Sequence, residues 1–188
     1  MIKRIFTFTV LFIFALASAC AQGQEHMKFM GIPLNGTINQ FQTKLATKGV
    51  NVDVATNKTI GVGCRAFKGS FSGKDAQIFV YYDESSKVVY RAKAVIQSSD
   101  EDICDNNYTY FVNMLSTKYS DAETERGEQD GHESISFFVP NDELAVYKYL
   151  GTIDVYRSSY YSISYSIHVD YTDTVNKVKH ENRNMDDL

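Results

Sequence analysis

Apolar and polar positions alternate along this chain with two different periods, and the switches between them mark out its elements. Ile38, Phe41 and Leu45 recur at spacings of three and four, the period of one face of an α-helix. Thr37 stands three residues before Gln40, a capping-box spacing, and Gly49 stands where such a helix would stop. A period of two follows. Phe67, Gly69 and Phe71 alternate with Ala66, Lys68 and Ser70, and residues 77–82 are rich in β-formers. Val88, Tyr90, Ala92, Ala94 and Ile96 then alternate with Val89, Arg91, Lys93 and Val95. Residues 72–75 and 83–86 read as the intervening turns. Residues 35–98 therefore predict one helix followed by three antiparallel strands, after a lead-in over residues 22–34 whose apolar part, 29–34, closes at the Asn35-Gly36 turn.

The same order returns. Ser and Asp residues within 99–105 suit a helix N-terminus, and Tyr108, Phe111, Val112, Leu115 and Tyr119 give the following segment an apolar face. Residues 121–133 are polar and acidic, which predicts a loop. Strands are expected around 134–139, 144–150 and 152–157. In the last strand Tyr161, Ile163, Tyr165, Ile167, Val169 and Tyr171 alternate with Ser162, Ser164, Ser166, His168 and Asp170. One apolar and one polar face describe a sheet packed on one side only. Residues 99–171 thus predict a second helix with three or four strands, and residues 172–188 a polar tail, as a frayed helix or disorder.

Two echoes join these halves. F-x-x-x-L-x-T-K occurs at Phe41 and again at Phe111, and Ile78-Phe79-Val80-Tyr81 is echoed by Ile153-Asp154-Val155-Tyr156. Two matches in the same order at offsets of 70 and 75 residues predict a tandem duplication. The expected fold is α+β: a helix and three antiparallel strands, repeated, with the helices on one face of the sheet and the other face open. This order over residues 35–171 resembles the tandem-repeat fold of the β-lactamase-inhibitor proteins and related small envelope proteins. That resemblance implies one disulfide inside each repeat, which this chain cannot supply, so no functional residue is carried over from it.

The N-terminus adds a location. Lys3 and Arg4, an apolar run over residues 5–17 and the small residues that follow make residues 1–21 an export signal, too short to span a bilayer comfortably. Two processing modes are open. Ala19-Cys20-Ala21 fits cleavage before Gln22, whereas Ala17-Ser18-Ala19-Cys20 resembles a lipoprotein box that would leave Cys20 acylated. The expected destination is the periplasm or the extracellular space, with a lipid anchor only through Cys20 and no transmembrane segment after signal removal. Removing Lys3 and Arg4 from the 19 basic side chains leaves 17 against 23 acidic ones, a net −6 in place of −4. No basic stripe exists, which argues against nucleic acid as a partner. Cys64 and Cys104 remain. In an oxidising compartment they could pair, or they could be two buried thiols.

Catalytic patterns are sparse. Gly61, Gly63 and Ala66 match a dinucleotide fingerprint literally but lack the strand before and the helix after it. His132-Glu133 begins like a zincin motif, yet Ser136 stands where the second His is needed. Asp121, Glu123, Glu125, Glu128 and Asp130 have the wrong spacing for a Ca²⁺ loop and read as a solvated connection. No metal site, cofactor or catalytic residue is assigned. Tyrosine is the stronger signal: the chain has 13 Tyr and no Trp. If Ile78, Val80, Ile153 and Val155 face the helices, then Phe79, Tyr81 and Tyr156 face outward, joined by Arg91, Lys93, Ser164 and His168. Such a face fits a non-enzymatic binding module for a protein, peptide or glycan. Two alternatives stand beside it. One is an envelope assembly accessory docking through residues 29–34 or the tail. The other is a hydrolase gathering His132 or His168 with a carboxylate and a nucleophile.

Overall fold

The structure, a computed structural model, describes residues 25–129, 131–142, 145–160 and 164–186. Residues 1–21, which the sequence pattern reads as an export signal, lie outside these residues. In chain order the elements are β1 (Lys28–Phe29), β2 (Ile32–Pro33), α1 (Ile38–Ala46), β3 (Asn51–Val52), a 3-10 turn (Thr56–Lys58), β4 (Cys64–Phe71), β5 (Lys74–Tyr82), β6 (Val89–Ser98), α2 (Glu101–Lys118), β7 (Glu123–Gln129), β8 (His132–Pro140), β9 (Tyr149–Tyr160), β10 (Ser164–Asp173) and α3 (Thr174–Asp186). β1 and β2 pair with each other. The other eight strands form one antiparallel sheet in the order β3-β4-β5-β6-β10-β9-β8-β7.

Local chemistry sets these elements. At α1 the capping box forms: Gln40 N donates to Thr37 Oγ1 and Thr37 N donates to Gln40 Oε1. Asp100 caps α2 by accepting from Ile103 N at 2.9 Å, a contact of the kind that stabilises a helix by about 1 kcal/mol. Ser72 and Gly73 join β4 to β5 with φ of 50° and 79°. Two left-handed residues between paired Phe71 and Lys74 make the tight hairpin turn whose twist matches its strands.

The helices α1 and α2 cover one face of the sheet. Phe67, Ile78, Val80, Ala92, Ala94, Ile135, Phe137, Ile153, Val155, Ile167, Val169 and Tyr171 line it from the strands, and Ile38, Phe41, Leu45, Tyr108, Phe111 and Leu115 close it from the helices. The β1–β2 hairpin fills the space between. Phe29 stacks on Phe71 at 5.3 Å and meets the edge of Tyr171 at 5.4 Å. Residues 29–34 are therefore part of this chain's own core and not a free lead-in. Gly151 of β9 lies under that hairpin. A Cβ there would run into the Thr172 carbonyl and the Met27 side chain.

The expected tandem duplication is not what the chain builds. It forms one continuous eight-stranded sheet with helices of 9 and 18 residues and a third helix beyond the last strand. The apolar members of the echoes, Phe41 and Leu45, Phe111 and Leu115, Ile78 and Val80, and Ile153 and Val155, are the inward-facing anchors of α1, α2, β5 and β9. Any helix laid on a sheet needs apolar residues four apart, and any half-covered strand needs them two apart. The recurrence therefore reports shared packing demands and not a repeated unit. The acidic segment is also not a loop. Glu123 to Gln129 pair with β8 as an edge strand whose seven residues are all exposed, so no apolar alternation announces it. Residues 145–148 bend before β9 instead of continuing a strand.

The tail is ordered as α3. Its first turn buries Val175 and Asn176. Asn176 Nδ2 donates to Leu34 O at 2.6 Å, and fully buried Asp173 accepts from Asn176 N and Met27 N, each at 2.9 Å. This helix crosses the sheet on the side away from α1 and α2, so the helices do not share one face.

Candidate functional site

Strand register assembles the uncovered face, because directly paired residues in an antiparallel sheet point the same way. One row runs Phe79, Lys93, Asp170, Asp154, Ser136 from β5 to β8. A second runs Cys64, Tyr81, Arg91, Thr172, Thr152. A third runs Gln77, Val95, His168, Tyr156, Ser134. Phe79, Tyr81, Arg91, Lys93, Tyr156 and His168 thus lie on one face, as alternation from the sequence placed them. Ser164 follows on the same face at the start of β10, exposed and paired with Tyr160.

A partly buried ion pair anchors the middle: the Asp170 side chain is covered, and that of Arg91 is 36% exposed. Arg91 Nε donates to both carboxylate oxygens of Asp170, at 2.8 and 3.0 Å, and its Nη2 adds a further bond. Those bonds raise the Arg91 pKa, and Asp170 is only 2% exposed. The guanidinium lies 4.7 Å from the Tyr81 ring centroid. Lys93 sits 5.8 Å over Phe79. Burial pulls the Lys93 ammonium below its ordinary pKa while Asp170 pushes it back. Among the described residues Lys93 has no hydrogen-bond or ion-pair partner. Asp154 accepts from Ser136 Oγ at 2.6 Å, and burial pushes its carboxyl above the ordinary range. Lys93 and Asp154 stand two strand spacings apart in one row, on the order of 10 Å.

His168 stacks on Tyr156 at 4.6 Å and its Nε2 contacts Ser166 Oγ at 2.9 Å. Tyr156 is nearly covered, so it supports the face more than it offers area. Cys64 and Cys104 are both free thiols, Cys64 on the uncovered face and Cys104 on the core-facing side of α2. Burial raises the Cys104 thiol to about 11, which makes it an inert packing group. Cys20 lies outside the described residues.

One turn holds α3 across the end of this face. Asp83 accepts from Ser85 Oγ at 2.8 Å, from Ser86 N and Oγ at 2.7 Å each, and from Arg183 Nη1 at 2.6 Å, and it contacts His180 Nδ1 at 3.1 Å. Burial alone would raise its pKa, but the donors from Ser86, His180 and Ser85 outweigh that and hold the carboxyl far below the ordinary range. The His180 ring stacks on Tyr90 at 4.5 Å. A cleft lies on either flank of the helix. One of about 550 Å³ is lined by Cys64, Tyr81, Tyr82, Glu84 and Tyr90. The other, of about 440 Å³, is lined by Arg91, Thr152, Asp154, Thr172 and Lys177.

Asp154, Ser136 and the Asp83 clasp were not singled out from sequence. Asp154 carried a signal, since it takes the place of outward Phe79 in the Ile-x-Val-Tyr echo. The clasp joins residues 97 or 100 apart and has no local pattern. The acidic residues proposed and dismissed for Ca²⁺ lie mostly on β7, where Glu123 pairs with Lys148 at 2.8 Å. No group of three or more His, Cys, Asp or Glu side chains able to hold a metal occurs among the described residues. No helix among them is long and apolar enough to cross a membrane.

Comparison with protein families, curated proteins and solved structures finds no match to this chain. The resemblance to β-lactamase-inhibitor proteins therefore receives no support from a relative.

Proposed function

We propose that this protein is an exported, non-enzymatic binding module that recognises a glycan on its uncovered sheet face. One observation supports the reading above the others. The row Phe79, Lys93, Asp170, Asp154, Ser136 sets an aromatic ring, an ammonium with no ion-pair partner among the described residues, a carboxylate held by Arg91, a half-buried carboxylate and a hydroxyl along one line. Hydroxyl-rich ligands need alternating donors and acceptors, with aromatic faces for the apolar side of a sugar ring. Protein partners need an apolar centre instead, and the exposed apolar residues Val54, Ile103 and Val146 lie away from this row. Export rests on the N-terminal sequence pattern.

The other readings fit less well. Docking through residues 29–34 would require exposing Phe29, Ile32 and Leu34, all buried in this chain's core. A hydrolase would need a histidine between a carboxylate and a nucleophile. His180 has its carboxylate, but its Nε2 meets the Asn184 amide at 3.3 Å. His132 contacts Ser159 at 2.9 Å from the edge of the sheet.

The test is an oligosaccharide array probed with purified protein and with a Phe79→Ser, Lys93→Gln double variant checked for unchanged folding. Saturable binding to a defined glycan, lost in the variant, is expected. No retained glycan, or equal retention by both proteins, would overturn the assignment.

A further inference from the structure

We propose that the cleft between α3 and the β4–β5–β6 end of the sheet is a separate binding site for an organic ammonium ion. Its volume of about 550 Å³ lies in the range of small-ligand pockets. Three tyrosines contribute to its walls, Tyr81, Tyr82 and Tyr90, with the His180 ring stacked on Tyr90 at 4.5 Å. Aromatic faces carry negative potential and attract cations. The protein already uses two of these rings in that way, with Arg91 4.7 Å from Tyr81 and Lys87 5.8 Å from Tyr82. Neither cation lines the cleft itself.

Charge complementarity selects the occupant. Three ionised side chains line the cleft: Asp83, Glu84 and Arg183. Asp83 and Arg183 satisfy each other at 2.6 Å, and Arg183 is further spent on Ser86 Oγ at 2.7 Å. Glu84 is left over. It is exposed at the rim, and among the described residues it has no hydrogen-bond or ion-pair partner. An anion entering here would meet Glu84 and the negative ring faces. A neutral apolar molecule would gain nothing from the Glu84 carboxylate. An alkylammonium group satisfies both, with its charge toward Glu84 and its methyl or methylene groups against the tyrosines. Tyr81 and Tyr90 present neutral phenols, and burial raises their pKa values further above the ordinary one.

The site shares no residue with the proposed glycan row, since Cys64 and Tyr81 belong to the neighbouring row of the same face, and it does not depend on that row. The experiment is calorimetric and NMR titration of the purified protein with choline chloride and with n-butylammonium chloride at constant ionic strength. Sodium acetate and n-butanol serve as the anionic and neutral controls. Saturable binding of at least one ammonium ion is expected, with dissociation constants on the order of 1 mM and shifts centred on Tyr81, Tyr82 and Tyr90. Glu84→Gln, at an exposed position that leaves the core intact, should weaken it about 2- to 5-fold. Absence of saturable ammonium binding would overturn the proposal. So would butanol binding as well as the ammonium ions, or Glu84→Gln binding undiminished. None of these outcomes touches the Phe79–Lys93 row, so the glycan reading would stand or fall separately.

Discussion

The face under α1 and α2 and the face that α3 crosses are built from the same strands, on alternate residues, yet they are closed in different ways. The first is closed by volume. Phe67, Ile78, Val155 and Val169 meet Phe41, Phe111 and Leu115 with almost no exposure, and burial of that apolar area drives the fold. The second is closed by specific polar pairs: Arg91 with Asp170, Ser136 with Asp154, and Asp83 with the end of α3. A packed face has no capacity left over. A paired face does, because Lys93, Glu84 and part of Asp154 remain unspent. That surplus is what makes the second face the candidate site.

Substitutions should separate the two modes. The largest effect is expected on the packed face, where Phe111→Ala should lower unfolding free energy by about 3–5 kcal/mol in urea denaturation. Gly151→Ala should fall slightly below it, at roughly 3 kcal/mol, because the added methyl is driven into Met27 and the Thr172 carbonyl. On the paired face Asp170→Ala should cost less, about 1–2 kcal/mol, because the stranded Arg91 side chain is 36% exposed and water takes over part of its solvation. A double Arg91→Met, Asp170→Leu change should recover most of that loss. If it does not, the pair contributes more than mutual satisfaction.

Asp83 gives a pH signature. Its carboxyl is held below its unfolded value of roughly 3.9, so its stabilisation is present above that pH and is lost as pH falls toward the lower folded value. Asp83→Asn should therefore lower stability at pH 7 by about 1–2 kcal/mol and flatten the loss between pH 4 and the acid limit, roughly the window a depressed carboxyl controls. Thermal melts at pH 7 and at low pH would show it. The same variant should speed amide exchange over residues 177–186, while residues 174–176 keep their protection.

The smallest stability effect belongs to Lys93→Gln, within roughly 0.5 kcal/mol, although the glycan reading assigns that residue the ammonium at the centre of the binding row.

Much of this was legible from local pattern. The capping box at Thr37, the buried stripe Ile38, Phe41, Leu45, and the outward set Phe79, Tyr81, Arg91, Lys93 all follow from a single period read within one element. What could not be read was set by pairing at long range. β7 has no apolar residue to mark it and exists because its backbone bonds to β8. The polar tail becomes a helix because Asp173, Asn176 and His180 find partners at Met27, Leu34 and Asp83. Even the echoes misled for a physical reason: four-residue apolar spacing recurs wherever a helix meets a sheet, with or without a repeated unit.

The central claim is that the paired face, and not the packed one, receives the ligand. An NMR titration with a glycan retained on the array would test it most directly. The account predicts saturable shifts at the amides of Phe79, Lys93 and Asp154, with residues 108–115 of α2 unmoved. Shifts centred on α2, or none at the Phe79–Asp154 row, would contradict it.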